Sequence, residues 1–425
     1  MSIFYFWHFI LFYISYTSSV IISLLTSYIK YNLDKPRRLL MKKRTILTTG
    51  LLLLMLLLLC FPNLCLQAAQ SGLLLWFNKV LPSLLPFIIF INILVPLNGL
   101  QGFISWCTPL SRCIWHLPGE SFFAFIIGLI AGYPMGAKII KSFYIEHKLT
   151  KEEAERSLCF CNNCGPLFII GTIGTAMLSK TSIGYFLLFI HILSACIMSF
   201  LITRGLSNTF STTSKQSLSN TTPSLFSLFN LAISNSMDTI VCVGGYIIFF
   251  SVILSLFTQT PLASHFLTFL FPKDTDYIII KGIFSSCLEL SNGAYTLSTL
   301  PISAYSLALL SAAIGFGGIC VYFQSLFVLE DSPFDTKPFF LSKCIQGFLS
   351  FALTLLFYPF YIKLFQPDLA HSLYTLNTNF TLDPLSTSLF IIALCILFSQ
   401  LLFHSPPPNI TFDKILSCFI NKKKL

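Results

Sequence analysis

The sequence predicts an all-α polytopic membrane protein, an inverted-repeat carrier with two re-entrant helical hairpins and broken transmembrane helices. Hydrophobic residues make up 55% of the chain and charged residues only 10%, whereas soluble domains average roughly 45–50% apolar and 25% charged residues. The chain of 425 residues can supply about ten spans of ~20 residues each. Glycine, proline and amide residues interrupt several of the apolar segments. Because lipid offers no hydrogen bonds, such breaks occur where they are buried in protein or line a polar cavity, as in transporters.

Apolar segments long enough to cross a bilayer follow one another along the chain. They cover 3–29, 45–66, 73–98, 120–145, 156–178, 182–203, 226–256, 277–299, 303–329, 341–362 and 385–404. We interpret most cysteines within them as small buried apolar residues. Cys159, Cys161 and Cys164 lie too close together on one helix for a usual zinc site. No Walker, Rossmann or hydrolase-elbow motif has a suitable context, so we expect no metal, no cofactor and no enzymatic activity.

Two of these segments are interrupted strongly enough to fold back as hairpins. Gly132, Pro134 and Gly136 interrupt the segment 120–145, and Ser291-Asn292-Gly293 interrupts the segment 277–299. Proline lacks an amide hydrogen and clashes with the preceding turn, while glycine relaxes the backbone. We therefore expect each of these segments to enter and leave the membrane on one side.

The distribution of basic residues supports the first hairpin. The basic cluster at 35–44 places the start of the next segment in the cytoplasm. If 120–145 crossed the membrane fully, the basic loop 141–156 would lie outside, against the positive-inside rule. A re-entrant hairpin keeps this loop in the cytoplasm, together with the basic residues at 204–215 and 422–424. The net charge of +10 therefore reflects topology and not nucleic-acid binding.

If each of the following segments crosses the membrane once, the second hairpin enters from the opposite side. The chain then divides into two inverted halves. The corresponding motifs of the two halves are Gly136-Ala137 with Gly293-Ala294, and Asn162-Asn163-Cys164-Gly165 with Gly315-Phe316-Gly317-Gly318. Each half also contains a short interfacial stretch, at about 103–116 and 262–272.

The resulting organisation has six parts. In order, they are an extra apolar segment or mis-assigned start at 1–40, a first anchor helix at 41–72, a first repeat at 73–204, a polar cytoplasmic linker at 205–225, a second repeat at 226–366, and a last transmembrane helix with a basic cytoplasmic tail at 367–425.

The breaks predict a solute site near the middle of the membrane. Pro166 cannot donate to the carbonyl of Asn162, which leaves an acceptor beside two side-chain amides. The helices after the breaks present partly positive N-termini that can converge on an anion. The predicted substrate-binding residues are Gly132, Tyr133, Pro134, Gly136, Lys138, Asn162, Asn163, Gly165, Pro166, Glu289, Asn292, Gly293, Gly317, Gly318 and Gln324. The expected partners are a small anion and the lipid bilayer.

Several polar residues in the apolar segments allow two interpretations. Lys138 and Lys281 either act on the solute or extend their ammonium groups to the membrane surface. Glu289 and Asp238 either carry a proton or coupling cation, or stabilise a lysine or a broken backbone. His191 is better interpreted as a hydrogen-bonded helix contact. The coupling ion, the direction of transport and homo-oligomer formation stay open.

Three sequence strings carry a resemblance to a known family. They are Gly132-Tyr133-Pro134-x-Gly136-Ala137-Lys138, Thr150-Lys151-Glu152-Glu153-Ala154-Glu155-Arg156 and Cys161-Asn162-Asn163-x-Gly165-Pro166. In the second string, Thr150 and Glu153 also predict a capping box at a helix start. From about residue 41 onwards, the chain resembles the YlbJ family of sporulation integral membrane proteins, in the nucleoside-recognition or Gate-domain group.

The resemblance implies transport of dipicolinic acid, a pyridine dicarboxylate of bacterial spores, across the mother-cell-derived outer forespore membrane. The residues by themselves support only a small polar or anionic solute. Cys164 stands where a smaller or hydroxylated residue is expected and would narrow the pocket. Two other functions stay open: a carrier or gate of the same fold for nucleosides or another metabolite, and a non-transporting scaffold of the sporulation machinery. The scaffold predicts that Asn162 and Asn163 tolerate apolar replacement.

Overall fold

A computed structural model describes residues 38–94, 100–203, 225–260 and 277–365. Within these ranges the secondary structure is helical throughout. The helices are α1 Arg38–Cys60, α2 Pro62–Leu75, α3 Leu81–Leu94, α4 Gln101–Trp115, α5 Gly119–Ala131, α6 Met135–Ile145, α7 Lys151–Cys161, α8 Leu167–Met177, α9 Thr181–Thr203, α10 Leu225–Gln259, α11 Tyr277–Leu288, α12 Leu290–Ser298, α13 Ala304–Phe316, α14 Gly318–Val328 and α15 Lys337–Phe365. Helix α8 is wound as a π-helix.

Four predicted parts lie wholly or almost wholly outside the described residues. They are the N-terminal segment 1–40, the linker 205–225, the interfacial stretch 262–272 and the C-terminal part 367–425. In the described ranges, four helical stretches are each long and apolar enough to cross a membrane, and two bent helix pairs raise this number to six. The prediction of an all-α polytopic membrane protein is confirmed.

The chain forms two compact units, which meet in sequence between Asn63 and Leu64. The described part of the first unit is α1 with the beginning of α2. Side chains along α1 are exposed, including Leu52, Leu53 and Leu59, as expected for a helix that faces lipid. The second unit contains all the remaining described helices.

The predicted boundary between the first two apolar segments is wrong. The hydrophobicity pattern predicts a loop between 66 and 73, but the helices separate at Phe61, immediately before Pro62. Proline suits the first position of a helix and not its interior. The stretch Gln67-Ala68-Ala69-Gln70 consists of good helix formers. Helix α2 therefore continues through it and joins α3 by a π-helical turn at Trp76–Val80.

Helices α5 and α6 form the first predicted hairpin. The chain turns at Gly132, whose φ of 82° favours glycine, and at the following Tyr133-Pro134. Gly128 and Gly136 meet across the turn, because a Cβ built on Gly128 would lie 3.3 Å from the Cα of Gly136. A Cβ on Gly136 would overlap the carbonyl oxygen of Cys161. The small residues of this hairpin thus allow direct backbone packing against α7.

Helices α11 and α12 form the second hairpin, but its turn differs from the prediction. The turn lies at Glu289, and Ser291, Asn292 and Gly293 belong to α12. The Glu289 carboxylate accepts hydrogen bonds from the backbone amides of Ser291 at 2.9 Å and Asn292 at 2.7 Å. This N-cap starts α12 early. Gly293 instead permits close packing, since a Cβ there would overlap the backbone of Ser286.

One order of elements occurs twice. In residues 119–203, a hairpin (α5–α6) precedes a broken helix (α7–α8) and a long helix (α9). In residues 277–365, a hairpin (α11–α12) precedes a broken helix (α13–α14) and a long helix (α15). We call these ranges the first half and the second half. The first break is the non-helical stretch 162–165, and the second lies at Gly317, where Gly317 and Gly318 have φ of 82° and 84°.

The interfacial stretch predicted at 103–116 forms α4, which is bent by 96° from α5. Ile104, Cys107, Ser111 and Trp115 are buried along one side of α4, while Trp106 is 69% exposed. The predicted capping box at the start of α7 is also present. The two halves pack together through contacts of α15 with α7 and α9, of α14 with α6, and of α12 with α8.

Candidate functional site

The turn of each hairpin lies against the helix break of its own half. A Cβ built on Gly132, in the first turn, would lie 3.0 Å from the backbone nitrogen of Gly165 in the first break. A Cβ on Gly318, in the second break, would lie 2.9 Å from the carbonyl oxygen of Ser286, near the second turn. Glycine is therefore needed at both contacts, where irregular backbone from two elements meets.

A cleft with an empty volume of about 670 Å³, which includes open solvent, is lined by residues from both hairpin turns and both broken helices. Five of the predicted substrate-binding residues line it: Gly132, Tyr133, Gly165, Glu289 and Gln324. Cys164 and Ser291 also line the cleft. Both halves thus contribute residues from a hairpin turn and from a broken helix.

Tyr133 connects the two halves. Its ring lines the cleft, and its hydroxyl donates a hydrogen bond of 3.0 Å to the carbonyl oxygen of Ile314 in α13. Tyr133 also lines a second, much smaller cavity. The other residues of that cavity are Asn162, Phe316, Val321, Tyr322, Phe339, Phe340 and Lys343. Tyr133 and Val321 therefore form a boundary that both spaces share.

The amides of the first break form buried hydrogen bonds with the second half. The Nδ2 of Asn162 donates to the Oγ of Ser325 at 2.8 Å, while its Oδ1 is buried without a hydrogen-bond partner. The Oδ1 of Asn163 accepts from the Nζ of Lys343 at 3.3 Å and from the Nε2 of Gln346 at 3.2 Å. The Nζ of Lys343 also donates to the Oε1 of Gln346 at 2.7 Å. Asn163, Lys343 and Gln346 form what we call the amide–lysine cluster.

The remaining polar residues near the cleft have structural partners. His191 accepts a hydrogen bond of 3.1 Å from the backbone amide of Cys164 through Nε2, so it is hydrogen-bonded as expected, but to the first break and not to a helix. The Nε2 of Gln324 donates to the Sγ of Cys320 at 3.2 Å. Besides capping α12, the carboxylate of Glu289 accepts from the side-chain amide of Asn292 at 2.9 Å. Glu289 therefore stabilises the broken backbone, whereas Lys281 is half-buried on the preceding helix.

Other predicted residues lie beside the cleft and do not line it. Lys138 points towards α10, where its Nζ donates to the Oγ1 of Thr239 at 2.9 Å. Asp238, next to Thr239, is exposed. The predicted residues that appear in the lining of neither cavity are Pro134, Gly136, Lys138, Asn163, Pro166, Asn292, Gly293, Gly317 and Gly318. Most of them shape the backbone around the cleft, while Lys138 connects α6 to α10.

The chain is 27% identical over 339 residues to the sporulation integral membrane protein YlbJ of Bacillus subtilis strain 168, a match that covers 72% of this chain and 81% of that relative. This similarity supports assigning the chain to the YlbJ family. No family model and no solved structure matches the chain. With its several long apolar helices, the protein is accordingly a multi-pass integral membrane protein.

Two residues of the amide–lysine cluster were missed by the sequence analysis. Lys343 and Gln346 are 4% and 0% exposed and lie inside α15. Their spacing of three residues places them on the same side of a helix. A lysine and an amide at this spacing, within an otherwise apolar segment, indicate a buried polar site on one side of the helix. Lys343 was overlooked because a lysine near the end of an apolar segment usually extends to the membrane surface.

Proposed function

We propose that this protein carries a small organic anion across a membrane of the sporulating cell, and that the anion is dipicolinate. The cleft between the two hairpin turns carries this proposal. Residues from two broken helices and two hairpins line it, which is the arrangement that secondary carriers use for a solute near the middle of the bilayer. The similarity to a sporulation integral membrane protein supports a role in sporulation.

A buried lysine in the neighbouring cavity supports an anion as the solute. Glu289 is the acid in the cleft lining, and its carboxylate already accepts hydrogen bonds from three N–H donors. The buried ammonium group of Lys343 lies beyond the ring of Tyr133. A dicarboxylate cannot cross hydrocarbon unaided, because burying an ionised carboxylate is very unfavourable. A compartment that stores dipicolinate therefore needs a carrier, and we place this one in the mother-cell-derived outer forespore membrane.

The proposal is tested by uptake of labelled dipicolinate into proteoliposomes that contain the purified protein. Two variants provide a matched comparison, because both replace a partly exposed isoleucine. Ile130 lines the cleft and is 47% exposed, while Ile145 lies at the end of α6 and is 61% exposed. We expect Ile130→Trp to reduce uptake strongly by filling the cleft, and Ile145→Trp to leave it unchanged.

Competition identifies the solute. Unlabelled dipicolinate should inhibit uptake, and nucleosides should not. Nucleoside uptake without dipicolinate uptake would favour a nucleoside carrier. If neither solute enters, although the protein is correctly inserted, the dipicolinate proposal is wrong and the scaffold becomes the better explanation.

A further inference from the structure

We propose that Lys343 binds one carboxylate of the transported anion, in an inner subsite separated from the cleft by Tyr133. This inference rests on the proposed transport of an organic anion. The ammonium group is buried within α15, and both of its hydrogen-bond acceptors, on Asn163 and Gln346, are neutral amide oxygens. In the described part of the chain, the recorded ion pairs involve other lysines, Lys148 and Lys151.

A buried ammonium group without a counter-charge is unfavourable, and neutral acceptors compensate only part of its lost hydration. A lysine has three N–H donors, and the two amide oxygens use two of them. The third donor remains for a ligand. A carboxylate at this position would supply both the missing acceptor and the missing negative charge, in a short charge-assisted hydrogen bond.

Asn162 provides a second contact in the same cavity. Its Oδ1 is buried without a partner, while its Nδ2 donates to the Ser325 hydroxyl. Rotating the amide by half a turn exchanges these two atoms. The Ser325 hydroxyl, which now donates to the carbonyl oxygen of Val321 at 2.8 Å, can then turn and donate to Oδ1 instead. The Nδ2 of Asn162 becomes a free donor. A solute carboxylate can thus accept from both Lys343 and Asn162, which line the same cavity.

Tyr133 controls access to this subsite. In the described conformation, the smaller cavity has room for about one water molecule. Tyr133 lines both this cavity and the cleft, and its hydroxyl is held by Ile314. When the side chain swings away from Ile314, the two spaces join. The body of the anion then occupies the cleft, and one carboxylate reaches Lys343.

The first test measures carboxylate binding by thermal unfolding of the full-length protein in detergent. The probes are dipicolinate, benzene-1,3-dicarboxylate and neutral pyridine. Lys343→Met removes the charge, and Lys363→Met makes the same change at an exposed position in the last turn of α15. We expect both dicarboxylates, but not pyridine, to stabilise the wild type and Lys363→Met. The dissociation constants for Lys343→Met should be roughly tenfold to a hundredfold higher.

The stability without ligand separates this subsite from a purely structural role. Removing a buried, uncompensated charge should leave the Tm of Lys343→Met unchanged or raise it. A purely structural lysine predicts a lower Tm with unaltered carboxylate binding, and that result would overturn the proposal. If Lys343→Met does not fold, Asn163→Asp is the second variant. Its new carboxylate should pair with Lys343 and compete with the dicarboxylates, although the variant loses the hydrogen bond that Nδ2 donates to the carbonyl of Phe160 at 2.7 Å. Unchanged dicarboxylate affinity would contradict the subsite.

The two proposals can fail separately. Carboxylate binding that depends on Lys343, without dipicolinate uptake into proteoliposomes, would support the subsite and reject the transport of dipicolinate. Conversely, dipicolinate uptake with the same saturation in wild type and Lys343→Met would support the carrier and reject the subsite.

Discussion

The hydroxyl of Tyr133 donates a hydrogen bond of 3.0 Å to the main-chain carbonyl of Ile314, 181 residues further along the chain. Tyr133 lies in the turn of the first hairpin, and Ile314 lies in the last turn of α13, just before the second break. One side chain thus joins the two halves at the point where the cleft and the smaller cavity meet.

Tyr133→Phe should destabilise the protein, because it keeps the ring and leaves the buried carbonyl of Ile314 without this donor. An unsatisfied buried acceptor costs about 1–3 kcal/mol. Thermal unfolding in detergent should show a lower Tm for this variant. Tyr185→Phe is the control, since Tyr185 is 59% exposed on α9. Equal Tm values for the two variants would show that the bond to Ile314 contributes nothing to stability.

Replacing the amides of the first break should separate stability from transport. Asn163→Leu removes the acceptor that Lys343 and Gln346 share, so we expect it to lower both the Tm and dipicolinate uptake. Asn162→Leu removes the donor to Ser325 and also the Oδ1 atom, which is buried without a hydrogen-bond partner. We expect this variant to reduce uptake with a smaller change in Tm. A lost partner of about 1–3 kcal/mol weakens solute affinity roughly tenfold to a hundredfold.

Saturation curves in proteoliposomes measure this effect. Normal uptake by both variants, with unchanged saturation, would exclude the two amides from the solute site. It would also favour the scaffold, which predicts that both positions tolerate leucine.

Glu289 should prove to be a helix cap rather than a proton carrier. Its carboxylate accepts from the backbone amides of Ser291 and Asn292. Asparagine caps a helix about as well as aspartate but cannot ionise. Glu289→Asn should therefore retain transport, whereas Glu289→Ala should lose about 0.5–2 kcal/mol of stability. If Glu289→Asn folds with a normal Tm but transports nothing, the carboxylate has a role in coupling.

Two loops at one end of the molecule, 146–150 and 330–336, should both lie in the cytoplasm. The Nζ of Lys141 donates to the carbonyl of Glu330, and the carboxylate of Glu155 accepts from the amide of Asp335 at 2.7 Å. These contacts place the loops 146–150 and 330–336 at the same end. The first of these loops is basic, so we expect both of them in the cytoplasm.

Cysteine labelling in intact cells, on a background without native cysteines, tests this topology. A cysteine at position 148 should be protected from a membrane-impermeant reagent, whereas Thr299→Cys, in the loop after α12, should react. Labelling of position 148 from outside would contradict the re-entrant placement of the first hairpin. The linker at Lys215, predicted on the cytoplasmic side, offers a further position for the same assay.

Deletion of the gene should produce spores that are poor in dipicolinate while synthesis in the mother cell continues. Dipicolinate is an anion, so without a carrier it should remain outside the spore core. Lys138→Gln should have little effect, since Lys138 bonds to Thr239 away from both cavities. Added dipicolinate should restore the deletion strain if a downstream importer is intact. Normal spore dipicolinate in the deletion strain, without a paralogue, would reject the assignment.

The breaks were predictable because their causes are local. Gly132, Pro166 and Gly317 disturb helical backbone whatever surrounds them, and each lies at or beside an observed break. The second hairpin turn was misplaced because glutamate at an N-cap has no strong local signature, and its role depends on burial against the first turn of α12. The amide–lysine cluster was not predictable as a unit, since Asn163 and Lys343 are 180 residues apart in sequence.

The glycine packing has a mechanical consequence. Gly128 and Gly136 bring the first hairpin onto the backbone of Cys161, and Gly293 brings α12 onto Ser286, with no room for even one methyl group. Each half should therefore be stiff. Between the halves, α15 packs against α7 and α9. Tyr133 and Asn162 add side-chain hydrogen bonds, each of which contributes only about 0.5–1.5 kcal/mol and can be exchanged for water or solute. A rocking motion of one half against the other would break such bonds one at a time and leave the interior of each half intact. We therefore expect the hinge to lie at the contacts between the two halves.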